Sequence, residues 1–250
     1  MGNLLTVRGI VLQETPVGEA DKFITVLGKN HGKITISIKG ARRVRSGLTA
    51  GTALFSYSDF YIAEVRKKMY LNQAEPIETF YSLRNDLSAF AYGSYFLEIV
   101  NKLLFENMPS NNVLLLLLKT LTALSKNVIP NKLISSIFEL KILEFNGYKP
   151  ETAHCICCGA KTEPAFYITS EGTVCGNCVD KSNFYINLDE TLLYTINYIF
   201  SSNINKLFTF KVPPKILNSL SYFSRCLING CFNLKLKSLR FIKEIENLRL

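Results

Sequence analysis

Ile34, Ile36 and Ile38 alternate with Thr35, Ser37 and Lys39, a period of two that predicts a strand with one apolar and one polar face. Extended patterning runs from Leu4 to about Ala74. FITVLGKNHGKITISIKG reads as a hairpin around GKNHG, with LLTVRGIVLQET before it and FSYSDFYIAEV and RKKMYLNQAE after it, about five strands in all. Eight of the chain's 14 glycines fall within the first 51 residues and punctuate these strands. A small five-stranded barrel is the economical architecture, because closure removes the edges that a short isolated sheet would expose.

After Pro76 the period changes. SLRNDLSAFAYGSYFLEIVNKLLFEN, VLLLLLKTLTALSKN and NKLISSIFELKILEFNG place apolar residues at helical spacing, with MPSNN and VIP as stops and starts. NGYKP is a helix stop, Gly147 suiting a left-handed cap and Pro150 preventing continuation. A cysteine-rich segment follows, and then LDETLLYTINYIFSS, PPKILNSLSYFSRCLINGCF and LRFIKEIENL return to helical spacing. The expected class is α+β. Residues 1–80 form the barrel and 81–250 a helical domain interrupted at about 150–182 by the cysteines.

VLLLLL at 113–118 is the longest strongly apolar run, far short of the roughly 20 residues that span a bilayer. With no signal-peptide pattern at the start, the expectation is a soluble, cytoplasmic protein. Net charge is +9, unevenly spread. Residues 1–80 carry 11 Lys+Arg against 7 Asp+Glu, residues 81–205 carry 9 against 11, and residues 206–250 carry 9 against 2. Basic ends favour a polyanionic partner, nucleic acid before an anionic membrane surface, since clustered cations release counterions. A merely solvated lysine-rich surface is the alternative.

Five of the seven cysteines lie in CICCGAKTEPAFYITSEGTVCGNC. Cys155 and Cys158 form one C-x-x-C pair and Cys175 and Cys178 a second, the spacing of a zinc ribbon or knuckle. Sulfurs three positions apart in a tight turn reach one Zn²⁺, and the second pair completes the tetrahedron. Cys157 is then spare. A redox pair and unoccupied thiols are the competing readings, but a lone C-x-x-C beside a βαβ unit is the redox pattern, not two pairs around FYITSEGTV. Four thiolates leave no open position for water, so such a metal is structural. Cys226 and Cys231 are expected to be small core residues.

Between Lys29 and Arg45 there are six Lys/Arg and no acidic residue. Lys33, Thr35, Ser37 and Lys39 share the face opposite the isoleucines, and KGARRVRSG continues into a loop; such a surface can track phosphates, or be plainly solvated. Arg66, Lys67 and Lys68 extend the charge, while Phe23, Tyr57, Phe60, Tyr61 and Tyr70 offer rings for stacking or for filling the barrel. GKNHGKIT resembles a phosphate loop but has Leu27 where the first glycine belongs, and Ile34 after the lysine. With no nucleophile elbow and two unpartnered histidines, no enzyme is expected.

RGIVLQETPVGEADKFITVLGKNHGKITISIKGARRVRSG resembles the opening of the bacterial RecO family of DNA repair proteins, with its G-I-V-L segment, G-E-x-D turn, G-K-I strand and K-G-x-R-R-x-x-S loop. The order of barrel, helices, four-cysteine insertion and helices extends the likeness over the whole chain. The resemblance implies an OB-fold followed by a zinc-bearing helical domain, in a non-enzymatic mediator of recombinational repair. It implies binding to single- and double-stranded DNA, annealing of complementary strands, contact with the acidic C-terminal tail of single-stranded DNA-binding protein, and loading of RecA with RecR and often RecF. It points to Lys33, Lys39, Arg42, Arg43 and Arg45 as phosphate contacts and to association with the nucleoid during repair. Arg225, Lys235, Lys237 and Arg240 would meet either DNA or the acidic tail. The alternative from another class is a zinc-ribbon module for protein interaction with incidental nucleic-acid binding.

Overall fold

The computed structural model describes residues 3–40, 48–163, 166–180 and 182–247. Five strands, β1 (Asn3–Val17), β2 (Asp21–Gly28), β3 (Gly32–Ile38), β4 (Tyr57–Val65) and β5 (Lys68–Glu78), close into a barrel in the order β1-β2-β3-β5-β4. The last contact to form the ring is a short parallel one, Ile36 with Met69 and Ser37 with Tyr70. This is the five-stranded Greek-key barrel of an OB-fold. β1 is long enough to serve two neighbours, β4 along residues 3–10 and β2 along residues 9–17. Gly9 sits in both ladders, and a Cβ there would lie 2.6 Å from the Leu27 carbonyl oxygen, so only glycine allows the approach. The alternating isoleucines of β3 point inward with Val7, Val11, Ile24, Val26, Phe60 and Ile62 and fill the barrel.

Helix α1 (Leu87–Leu103) begins at Asp86, whose carboxylate accepts from the Ala89 amide. Its buried stripe packs on β1, and Phe90 meets Phe55 edge to face. The tip of the β2–β3 hairpin docks on the segment joining α1 to α2 (Asn111–Lys126). Asn30 and Asn111 exchange hydrogen bonds at 2.9 and 2.7 Å, and the Asn107 amide donates to the Lys33 carbonyl. Gly32, at φ +72°, lies so close that a Cβ would fall 2.2 Å from the Met108 oxygen. The near-miss phosphate loop GKNHG is thus a packing contact.

By packing the chain divides into residues 1–125 with 236–250, and residues 126–235. Strand gives way to helix after Glu78, and α1 and α2 group with the barrel in the first of these units, where α6 (Lys237–Asn247) returns to α1. The Glu98 carboxylate accepts from the amides of Lys237 and Ser238, capping α6, and Tyr92 donates to Glu246. Burial opposes ionisation of Glu98, but the hydrogen bonds from Ser238, Lys102 and Lys237 outweigh it and hold its carboxyl below the ordinary range.

The second unit packs α3 (Asn131–Phe145) against α4 (Glu190–Ser201) and α5 (Pro214–Phe232), with short strands β6 (Tyr167–Ile168), β7 (Thr173–Val174) and β8 (Ile186–Asn187) in the insertion. Glu139, fully buried on α3, accepts from Arg225 at 2.9 Å, Ser224 at 2.5 Å and Ser135 at 2.9 Å. Arg225, expected on a basic surface, therefore neutralises a buried carboxylate. Cys226 and Cys231 are half-buried on α5, and burial pushes both thiols up.

Candidate nucleic-acid interface and metal centre

On the outer barrel face the register aligns Phe23 of β2 with Ser37 of β3, and Ser37 with Tyr70 of β5. Alternation turns these side chains away from the isoleucine core, so the row runs across three strands, Phe23 and Tyr70 standing about 10 Å apart at two strand spacings. They line a cleft of about 280 Å³ with Thr35, Lys67, Lys68 and Met69. Phe23 is 41% exposed, a large apolar ring left facing water. The Lys39 ammonium lies 5.7 Å from the centre of the Tyr70 ring. Among the described residues Lys39, Arg66, Lys67 and Lys68 make no ion pair. An aromatic row rimmed by cations is the kind of surface on which bases can stack and phosphates be met without readout of sequence.

The turn delivering two of these cations is strained. Val65 pairs with Lys68, leaving Arg66 and Lys67 as a two-residue hairpin loop with φ of +50° and +62°. Such turns favour Asn and Gly, because a Cβ disfavours the left-handed region. Lys67 lines the cleft, so a long cation here trades local stability for charge at its mouth, a pattern associated with function. The sequence shows RKK as basic, but only the parallel β3–β5 closure sets it beside Phe23 and Lys39.

The other predicted contacts separate. Lys33 lies at the far end of β3 from Lys39, and its ammonium donates to the Asn101 carbonyl at 2.7 Å. It satisfies an orphan carbonyl in the last turn of α1, where a cation also suits the helix dipole. Arg42, Arg43 and Arg45 lie outside the described residues. In the basic C-terminal region Arg240 pairs with Glu244 at 3.1 Å.

In the insertion, the Sγ atoms of Cys155, Cys158, Cys175 and Cys178 lie within 4.8 Å of one another. Cys158 and Cys175 are 3.8 Å apart, and a tetrahedron with sulfurs about 2.3 Å from its centre has edges of about 3.8 Å. Two tight turns create this. The Cys155 amide donates to the Ala160 carbonyl and the Gly159 amide back to Cys155, with Gly159 at φ +75°; the Cys178 and Val179 amides donate to Cys175. The exposed Cys157 is not among the four, as expected of the spare cysteine, and no cysteine forms a disulfide. Backbone N–H groups of Cys158 and Cys175 pull the Cys155 thiol down to about 6, while the crowded thiols of Cys175 and Cys158 push Cys178 up to about 12. Four like charges cannot gather unaided, and a thiophilic dication removes the conflict. The donor set fits a metal ion with no position left for water or substrate.

A closed OB barrel with a basic aromatic cleft in one unit, and helices carrying four clustered cysteines that could hold a metal in the other, are the class of architecture met in nucleic-acid-binding proteins. Residues 1–80 match the family model described as recombination protein O N terminal, and residues 84–240 match recombination protein O C terminal. The chain is 34% identical over 249 residues to the DNA repair protein RecO of Acetivibrio thermocellus, covering 99% of each. It is 34% identical to that of Alkaliphilus metalliredigens, covering 87% of this chain and 89% of the relative, and 30% identical to that of Thermoanaerobacter sp., covering 98% and 99%. The chain belongs to the RecO family of DNA repair proteins, which supports a role in recombinational repair and implies interaction with DNA. No helix among the described residues is long and apolar enough to cross a membrane.

Proposed function

We propose that this protein is a non-enzymatic mediator that binds single- and double-stranded DNA, anneals complementary strands, and helps load RecA onto DNA coated by single-stranded DNA-binding protein, together with RecR and RecF. The observation that carries this reading is the aromatic row Phe23–Ser37–Tyr70 with its unpaired cations. Rings that stack on base faces leave the pairing edges free, so a bound strand stays competent to find its complement. Lys39, Lys67 and Lys68, with Arg42, Arg43 and Arg45 a few positions further along the sequence, lower the phosphate repulsion that opposes two strands meeting. Lys33 contributes by fixing the barrel to α1. The metal is zinc, one per chain and structural, held by Cys155, Cys158, Cys175 and Cys178. The working compartment is the cytoplasm, at the nucleoid.

The test is an annealing assay without ATP, on complementary oligonucleotides bare and then coated with the cognate single-stranded DNA-binding protein. Acceleration in both supports the reading, and capture of coated DNA without acceleration favours a protein-interaction module. Charge reversal at Lys67 and Lys68 that left DNA affinity unchanged would refute the assigned face.

A further inference from the structure

Neither the barrel nor the metal clasp accounts for an aromatic cleft within residues 126–235. Tyr194 and Tyr198 stand one turn apart on α4 with rings nearly parallel, 21° between planes and 6.3 Å between centres. Phe210 meets Tyr198 edge-on at 5.0 Å, and residues 211–213 wall a cavity of about 360 Å³. Core packing of α4 is already supplied by Leu192, Ile196, Ile199 and Phe200. Tyr198 and Phe210 anchor the chain that follows α4, but Tyr194 is 69% exposed and has no such task.

One cation lines the cleft, Lys211; it is exposed and makes no ion pair among the described residues, while Glu190 stands one turn before Tyr194 on α4 and Lys206 and Lys215 are neighbours in sequence. Tyr198 is packed between Tyr194 and Phe210, so Tyr194 offers the open ring face, and that face beside Lys211 fits a planar heterocycle on an anionic backbone, as in single-strand binding grooves. Annealing is served by two strands on one protein, and the barrel cleft offers one stacking row.

We propose that this cleft is a second single-strand site, Tyr194 stacking a base and Lys211 meeting the phosphate beside it, so that one chain holds both strands it pairs. This rests on the DNA-annealing reading of the barrel. The test uses the full chain, an oligonucleotide carrying 5-iododeoxyuridine, photo-crosslinking and mass spectrometry, with the exposed-site variant Tyr194→Ala/Lys211→Ala and the ring-retaining control Tyr194→Phe. Crosslinks are expected at Tyr194 or Tyr198 as well as at the barrel. The double variant should bind a second oligonucleotide about five- to a hundredfold more weakly, the range of one lost base stack, and anneal more slowly while keeping its affinity for the first. Tyr194→Phe should behave as the parent. Crosslinks confined to Phe23 and Tyr70, with annealing unchanged in the double variant, overturn the second site and leave the barrel reading standing. Crosslinks at the cleft alone, with Lys67→Glu/Lys68→Glu still binding, support the cleft and sink the barrel. An oligo-aspartate peptide that binds the cleft and resists displacement by oligonucleotide also overturns the proposal.

Discussion

Replacing Arg66-Lys67 by Asn-Gly should make the protein more stable and a weaker binder of DNA at once. Both residues sit at positive φ, where a side chain beyond glycine or asparagine costs about 1–2 kcal/mol. Asn-Gly relieves most of this, and the extra freedom of glycine in the unfolded chain returns about 0.5–1 kcal/mol. The net expectation is a gain of about 1–2 kcal/mol, read as a higher denaturant midpoint followed by hydrogen exchange at β4 and β5. The same change removes two cations, the cleft-lining Lys67 and its turn neighbour Arg66. Each phosphate contact to a single strand contributes about 0.7 to the slope of log affinity against log salt, so the slope should shrink by about 1.4. Between 50 and 200 mM salt the parent should then lose about sevenfold more affinity than the variant. A stabilised variant with an unchanged salt slope would refute the reasoning, since the strain would serve nothing at the cleft.

Four further outcomes are expected. Lys33→Met should lower stability by about 1–2 kcal/mol through the unmet Asn101 carbonyl, yet leave the salt slope of DNA binding intact. Glu139→Ala strands Arg225 against a buried gap and should cost about 3–5 kcal/mol in denaturant unfolding of residues 126–235. Metal analysis of reduced protein should return about one zinc per chain; Cys178→Ser should abolish binding and unfold the insertion, whereas Cys157→Ser should retain both. Because the folded carboxyl of Glu98 is held below its ordinary value, its stabilisation is full above that value and is lost as pH falls through the folded one. The protection of α6 amides, taken relative to their intrinsic exchange at each pH, should therefore fall in acid, and Glu98→Gln should lose most of this pH dependence.

The pairing of sequence pattern with structure is closest where one periodicity has one explanation. The alternation in β3 defines a core face and an outer face, and residues 32–38 show it without a break. The two C-x-x-C pairs carry their own geometry, since short turns converge four sulfurs without help from distant elements. The cleft was less legible. Phe23, Tyr57, Phe60, Tyr61 and Tyr70 are alike in the sequence, but Phe60 is buried in the core while Phe23 faces water. Strand parity decides between them, and parity depends on register.

The chain by itself determined its element types, the switch from period two to helical spacing after Pro76, and the two cysteine pairs that gather, because each depends on short-range pattern. Tertiary structure decided how the charges are used. Lys33 and Lys39 look equivalent on one strand face, but one caps α1 and the other flanks Tyr70. Arg225 reads as surface charge and is drawn onto Glu139, 86 residues away. α6 reads as the end of a helical domain, but Glu98 caps it against α1 beside the barrel. Charge is a property of a residue, whereas its availability depends on which distant groups the fold brings within hydrogen-bonding reach.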